Sequence, residues 1–401
     1  VRQAAAVDFA AITALRSPAG QALLASLPAY DESAAMKSAQ DLRAAGHDPA
    51  LIAAALTQSR LRAAAVRRLG PTGAELLWTA DAVEQASRTE VAQWRAGRFT
   101  AAGVRRVLDL GAGAGSDALA FAAAGIEVVA VERDPVTAAV LEANADRAGG
   151  GRITVVQADA AEVAQRRDLL ATCDAVYADP ARRRDGHRVL DPAGWSPPLR
   201  LVAALAAAAR CGAAKVGPGI DHALVPAEAE AEWVSHRGDV VECCLWWGEL
   251  RRGAARGATL LGPPVRTLTD APAGPPPVAA PGRYLHEPDG AVLRAGLVGT
   301  VAAELDGWLL DPTIAYVSCD ADLHSPWTTR YAITDVLPFS VKGLRALLRE
   351  RQVGRVTIKK RGTAVTPEQL RPQLRLAGQN EATVVLTRIA GKPSALLVTP
   401  A

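Results

Sequence analysis

The sequence predicts an α/β protein: a doubly wound, mostly parallel sheet with a helical N-terminal segment and a smaller C-terminal α/β domain. Three observations predict it. Residues 1 to about 100 space alanine and leucine against arginine with helical period. From Val104 to about Leu261, five short apolar runs ("RRVLDL", "EVVAVE", "ITVVQAD", "CDAVYAD", "AAKVGPG") alternate with helical segments, an order that forces parallel pairing through crossovers. A proline-rich stretch then separates that region from a second one in which strand and helix patterns resume. At 401 residues and 49% hydrophobic, the chain is long enough to bury a sizeable core in two or three domains.

The elements follow in order. In "AGHDPALIAAALTQSRLRAAAVRRLG", Asp48 is placed as a helix cap and Pro49 in the first turn. Residues 1–100 are therefore read as a helical region and 101–261 as a Rossmann-like doubly wound domain. Near its end, "AEWVSHRGDVVECCLWWGEL" holds two apolar segments split by "HRGD", which predicts a hairpin closing the sheet edge. Residues 262–282, "GPPVRTLTDAPAGPPPVAAPG", are read as a linker that joins no sheet or helix interior. Within 283–401, "GLRALLRERQ" predicts a helix, and "VGRVTIKKRG" and "ATVVLTRIAG" predict strands.

Composition narrows the class. A net charge of +3, from 45 basic and 42 acidic residues, does not by itself demand a nucleic-acid partner, so the distribution of charge matters more than its sum. Cys173, Cys211, Cys243, Cys244 and Cys319 form no CxxC pair, and an odd count argues against a disulfide framework and for a reducing, cytoplasmic setting. Asp8 and the arginine-broken alanine pattern after it lack a signal peptide's apolar core, and "LVAALAAAARCGAA" is too short to span a bilayer. No membrane association is expected. The six histidines show neither HExxH nor Cys/His ligand spacing, so no metal is expected either.

The chemistry concentrates in "VLDLGAGAGSDALAFAAAGIEVVAVERDP". Gly111, Gly113 and Gly115 follow a strand and open a helix, letting backbone approach a ligand unobstructed. A dinucleotide site would want glycine at the sixth place of GxGxxG, where this chain has Ser116. Asp109, at the strand end, would repel a pyrophosphate and attract an ammonium group. Glu132, about twenty residues after the glycines, is placed to accept ribose hydroxyls, a feature both cofactor classes share. Asp159 can accept from an adenine amine or cap a helix, and Asp117 can belong to the site or be a first-turn acid favoured by the helix dipole.

As an ordered set, "LDLGAGAG", "VERD", "QAD" and "YADPARR" resemble the motifs of class I S-adenosylmethionine-dependent methyltransferases, over roughly residues 104–261. The resemblance implies a Rossmann-like methyltransferase sheet with S-adenosylmethionine as cofactor. It further implies that Asp109 and the loop of Gly111, Gly113 and Gly115 surround the methionine part, Glu132 the ribose and Asp159 the adenine. Asp179 and Pro180, ending the fourth strand, are then expected at the acceptor. Methyltransferases of exocyclic amines carry Asp/Asn-Pro-Pro and an aromatic, where this chain has Ala181 and Arg182. "DPAR" also resembles the segment of 5-methyluridine-forming RNA enzymes, yet their cysteine nucleophile is not on the next strand; Cys319 in "YVSCD" lies beyond the linker and reads as a buried small residue.

Arg182, Arg183 and Arg184, with His187 and Arg188, form a basic run read as phosphate-binding or as a solvated loop. Residues 342–375 hold ten basic residues against Glu350 and Glu368. Together with "YLHEPDGAVLRAG", the C-terminal patterns resemble a THUMP-like domain, which implies an RNA platform for tRNA or rRNA. Trp246 and Trp247 can stack a base but on a sheet are more often core. The expectation is therefore an RNA methyltransferase acting by direct transfer; a small-molecule methyltransferase with an accessory lid, or a nucleic-acid-binding protein with a vestigial cofactor fold, are the alternatives.

Overall fold

The computed structural model describes residues 8–181, 183–184, 187–189, 191–270 and 274–401; the side chains at 183, 184, 187 and 188 lie outside the description. The chain divides into two compact units, residues 1–230 with 243–253, and residues 231–242 with 254–401.

The first unit begins with helices α1 (Phe9–Arg16), α2 (Pro18–Ser26), α3 (Ala35–Ala44), α4 (Pro49–Leu69), α5 (Ala80–Gln85) and α6 (Thr89–Ala101). Asp48 caps α4 by accepting from the Leu51 amide at 2.9 Å, with Pro49 in its first turn. There follow β1 (Arg106–Leu110), α7 (Ser116–Ala123), β2 (Glu127–Glu132), α8 (Pro135–Ala148), β3 (Ile153–Gln157), short α9 (Ala160–Val163) and α10 (Arg167–Leu170), and β4 (Ala175–Ala178). A two-residue ladder, β5 (Arg183–Arg184) with β6 (His187–Arg188), precedes α11 (Leu199–Ala208) and β7 (Cys211–Val216).

The parallel strands lie in the order β7-β4-β1-β2-β3. The chain winds one way from β1 to β3 and then returns to the other side of β1, creating a switch point between β1 and β4 at the carboxyl ends of the strands. β1 is paired on both sides, with Asp109 opposite Ala130 and Tyr177, so its alternation is enforced by two neighbours. One aromatic core of Phe99, Phe121, Tyr177 and Trp246 lies on the sheet. A second joins Ile12, Leu15, Leu61 and Trp78 to Ala114, Ala139 and Val140, locking the N-terminal helices to α8 and to the glycine loop. Asn144 reinforces that joint, donating to the carbonyls of Leu77 and Ala114 and accepting from the Leu77 amide at 2.7 Å.

The expected hairpin forms: β8 (Glu230–His236) and β9 (Asp239–Gly248) are linked by Arg237 and Gly238, both left-handed at φ +55° and +83°, as a tight primed turn requires. Residues 243–248 of β9 pair antiparallel with β7. The hairpin is not the end of pairing, however. In the second unit β10 (Arg256–Leu261) runs parallel to β8, and β11 (Arg266–Thr269) adds antiparallel to β10. So the stretch expected to join no sheet does contribute a strand, because "RTLT" is a β-branched, proline-free island within it.

The rest of the second unit comprises β12 (Tyr284–Pro288), α12 (Gly290–Ala295), α13 (Val298–Glu304), β13 (Trp308–Asp311), β14 (Ile314–Cys319), β15 (Thr328–Pro338), α14 (Val341–Glu350), β16 (Val353–Lys360), α15 (Pro367–Leu374), β17 (Asn380–Ile389) and β18 (Lys392–Pro400). Its sheet order is β13-β14-β12-β15-β18-β17-β16, with only β16 and β17 parallel because α15 crosses between them. Alternation splits its core: Val384, Leu386 and Leu397 pack under α14 and α15, while Val385, Leu396 and Val398 face the opposite layer.

Candidate functional site

A cavity of about 660 Å³ opens at the carboxyl ends of β1 to β4, lined by loop residues Gly111–Ala114, by Glu132, Arg133, Asp134 and Asp159, and by Asp109, Asp117 and Asp179. Helical residues Thr57, Arg60 and Leu61, with Thr79–Ala82 and Gln85–Ser87, form its other wall.

Alternation along β1 turns Val107 and Asp109 to the face opposite Leu108 and Leu110. Asp109 is 1% exposed, and neither carboxylate oxygen has a hydrogen-bond partner among the described residues. Burial pushes its carboxyl well above the usual range; Asp117 and Asp179 push the same way, while Arg95 and Lys215 oppose them. Those two cations are already engaged, Arg95 with Asp117 and Lys215 with Asp179. A buried acid without partners is costly, and this one lines a cavity able to admit a cation.

The three glycines do different work. Gly111 (φ +79°) stands where a Cβ would lie 3.3 Å from the Asp179 carbonyl, and Gly115 (φ +94°) where one would lie 2.6 Å from Leu141 Cδ1. Gly113 (φ +57°) has open space before it, and its amide donates to Glu132 Oε2 at 3.0 Å. Glu132 also accepts from the Asp134 amide at 2.9 Å, so its carboxylate ties the glycine loop to the start of α8. Asp159 caps α9, accepting from the Ala161 amide at Oδ1 (2.8 Å), which leaves Oδ2 facing no bonded partner among the described residues.

Asp179 follows β4. Burial raises its carboxyl and Lys215 pulls it back. Lys215 Nζ also donates to Ser87 Oγ at 3.1 Å, and Ser87 donates to Asp117 Oδ2 at 2.8 Å, so the acids at the end of β4 and on α7 are wired to the loop before α6. Of the residues singled out from sequence, Asp109, Gly111, Gly113, Glu132, Asp159 and Asp179 line one cavity; Gly115 and the buried Pro180 stand behind its wall. Arg182 and the side chains of Arg183 and Arg184 lie outside the described residues. Sequence reasoning missed Lys215, Ser87, Arg95 and Arg60. Lys215 carried a signal, a lone charge in an apolar strand; Arg60 and Arg95 sit on helices and Ser87 in a loop, all remote in sequence, and carried none.

Elsewhere, Trp246 and Trp247 are core residues, 0% and 3% exposed, and present no face to a base. Cys319 is buried beside His286, with its thiol pushed up by burial, as suits a packed residue. Among the described residues no group of His, Cys, Asp and Glu is placed to hold a metal ion, and no helix is long and apolar enough to cross a membrane.

The cavity wall holds seven carboxylates (Asp81, Asp109, Asp117, Glu132, Asp134, Asp159, Asp179) and two arginines. Such a field opposes a pyrophosphate and favours a sulfonium nucleoside. Residues 74–184 match a family model described as "Putative SAM-dependent methyltransferase", 328–400 one described as THUMP domain-like, and 8–65 a domain of unknown function. An uncharacterized S-adenosylmethionine-dependent methyltransferase of Mycobacterium tuberculosis H37Rv is 35% identical over 322 residues, 78% of this chain and 85% of its own, and that of strain CDC 1551 matches equally. A crystal structure of a "putative methyltransferase" from Porphyromonas gingivalis W83 shares the fold, with a TM-score of 0.72 at 22% identity over 93% of this chain and 100% of that one. An acid-lined cavity at the switch point and 35% identity to the mycobacterial protein across 78% of the chain agree: this chain belongs to the S-adenosylmethionine-dependent methyltransferases, and S-adenosylmethionine is its cofactor.

Proposed function

We propose that the chain transfers the cofactor's methyl group directly to a base of tRNA or rRNA. The functional division proposed is that of the sequence: 1–100 as helical cover, 101–261 for catalysis, 262–282 as connector and 283–401 as the RNA platform. Bound there, the cofactor supplies an electrophilic methyl carbon on a sulfonium. Asp109 would meet the positive methionine end, Glu132 the ribose hydroxyls and Asp159 the adenine amine. The observation that carries the cofactor end of this reading is the Asp109 carboxylate, buried and without partners in an acid-lined cavity.

At the acceptor, displacement needs a lone pair aligned with the methyl carbon, so positioning is the main task. Asp179, ion-paired with Lys215, can orient a donor hydrogen of the acceptor base, with Pro180 stiffening the turn behind it. Arg182, Arg183 and Arg184 would hold the adjacent phosphates. Support for RNA comes from the THUMP domain-like match and from exposed basic residues on α14 and around it.

The test is transfer of labelled methyl from S-adenosylmethionine into bulk tRNA and rRNA, followed by nucleoside mass spectrometry of strains with and without the gene. Incorporation that falls as salt rises, and one methylated nucleoside missing from the deletion strain, are expected. Methyl acceptance by small metabolites alone would overturn the RNA reading and leave the methyltransferase assignment standing.

A further inference from the structure

The helical region before the sheet matches a domain of unknown function, and it is more than a cover. On α4, Thr57, Arg60 and Leu61 share one face, three and four residues apart, and that face lines the cofactor cavity. The helix is held firmly. Gln58, fully buried, donates to the Trp78 carbonyl at 2.7 Å and accepts from the Trp78 amide at 3.0 Å; Arg62 donates to the Leu76 carbonyl at 2.9 Å; Leu61 is packed in the core shared with Ala114. Against these fixed neighbours Arg60 stands out: it is half-buried at the cavity wall and, among the described residues, has neither a hydrogen-bond nor an ion-pair partner.

The other arginine of that wall, Arg133, is bonded to Ser196 Oγ at 3.3 Å. The remaining charges of the wall are seven carboxylates, which suit an ammonium and a sulfonium but oppose the carboxylate that the same methionine end carries. A zwitterionic tail entering this cavity needs one cation, set apart from Asp109. We propose that Arg60 is that cation: the N-terminal helical region completes the cofactor site, and Arg60 takes the methionine carboxylate through charge-assisted hydrogen bonds from its guanidinium fork. This rests on the reading of the cavity as the S-adenosylmethionine site, and it makes the region 8–65 a determinant of cofactor selection.

Calorimetric titration of the full chain with S-adenosylmethionine and with decarboxylated S-adenosylmethionine tests it, since the two ligands share every group but the carboxylate. Arg60→Ala and Arg60→Gln are expected to weaken S-adenosylmethionine about 10- to 100-fold and to leave the decarboxylated ligand within about twofold, with Arg60→Lys recovering part of the loss. Equal weakening of both ligands, or no change in either, would overturn the role of Arg60 while the cavity reading survives. If the wild-type chain binds neither ligand, the cavity reading itself fails and the proposal with it. Thermal melting of each variant separates loss of the contact from loss of the fold; Arg60 makes no internal bond among the described residues, so unchanged midpoints are expected.

Discussion

In the role proposed for it, Asp109 sets stability and ligand affinity against each other. Its carboxyl is raised above the unfolded-state value of about 3.9. A group of that kind contributes stability that is full below the unfolded pKa and lost as pH rises through the folded one, so its ionisation is a liability to the fold. Asp109→Asn keeps the shape and removes the charge. It is expected to raise the melting temperature of the free protein at pH 7.5 by a few degrees, as about 1–2 kcal/mol would, while weakening S-adenosylmethionine at least about tenfold. Most buried polar substitutions lose on both counts, so opposite signs would mark Asp109 as a ligand group. On that proposed role the wild type carries a linked signature: the positive methionine end would pull the raised carboxyl down, so binding at a pH below the free-state pKa releases a proton, and affinity rises with pH until that pKa is passed. Titration in two buffers of different ionisation enthalpy measures that proton; a net uptake would contradict the sign.

At the scale of elements, the loop between β1 and α7 separates backbone needed for packing from backbone that lines the cavity. Gly115→Ala forces a left-handed residue to carry a methyl against the buried Leu141, costing about 1–3 kcal/mol for overpacking beyond the roughly 1–2 of the backbone strain. Gly113→Ala meets nothing within 4 Å and points into the cavity. Melting and cofactor titration should therefore dissociate, with Gly115→Ala lowering the midpoint more and Gly113→Ala losing proportionally more affinity. This loop was legible in the sequence, as were the five parallel strands and the acids at or just past the ends of four of them, because a doubly wound sheet puts strand ends and ligand on one edge whatever the side chains. Less legible was anything depending on which helix lies over that edge. Lys215, Ser87 and Arg95 reach Asp179 and Asp117 through tertiary packing, and Arg60 reaches the cavity from a helix about fifty residues before the glycines. Pairing beyond the hairpin was hidden too, because four residues within a proline-rich run are enough for an edge strand.

Across the whole chain, the cavity is built entirely within the first unit and the basic run of residues 342–375 lies in the second, so the cofactor and RNA bindings proposed for them should be separable by mutation. The basic run of residues 342–375 overstates the free charge. Arg351 pairs with Asp335, Arg355 with Glu381, Lys359 and Arg361 with Glu287, and Arg345 and Arg371 donate to the carbonyls of Gln373 and Val356. Among the described residues, the exposed side chains of Lys342, Arg349, Lys360 and Arg375 keep no such partner, and Lys342 and Arg349 share one face of α14 two turns apart. Each phosphate neutralised contributes roughly 0.7–0.9 to the slope of log affinity against log salt. Replacing all four residues by glutamine is therefore expected to flatten that slope by about 3, to raise the RNA concentration needed for half-maximal methylation, and to leave S-adenosylmethionine affinity within about twofold. An unchanged slope would mean that phosphate is met elsewhere. In that case the paired residues are the ones to neutralise next, since an ion pair exposed to solvent contributes only about 0–1 kcal/mol and can exchange its carboxylate for a phosphate at small cost.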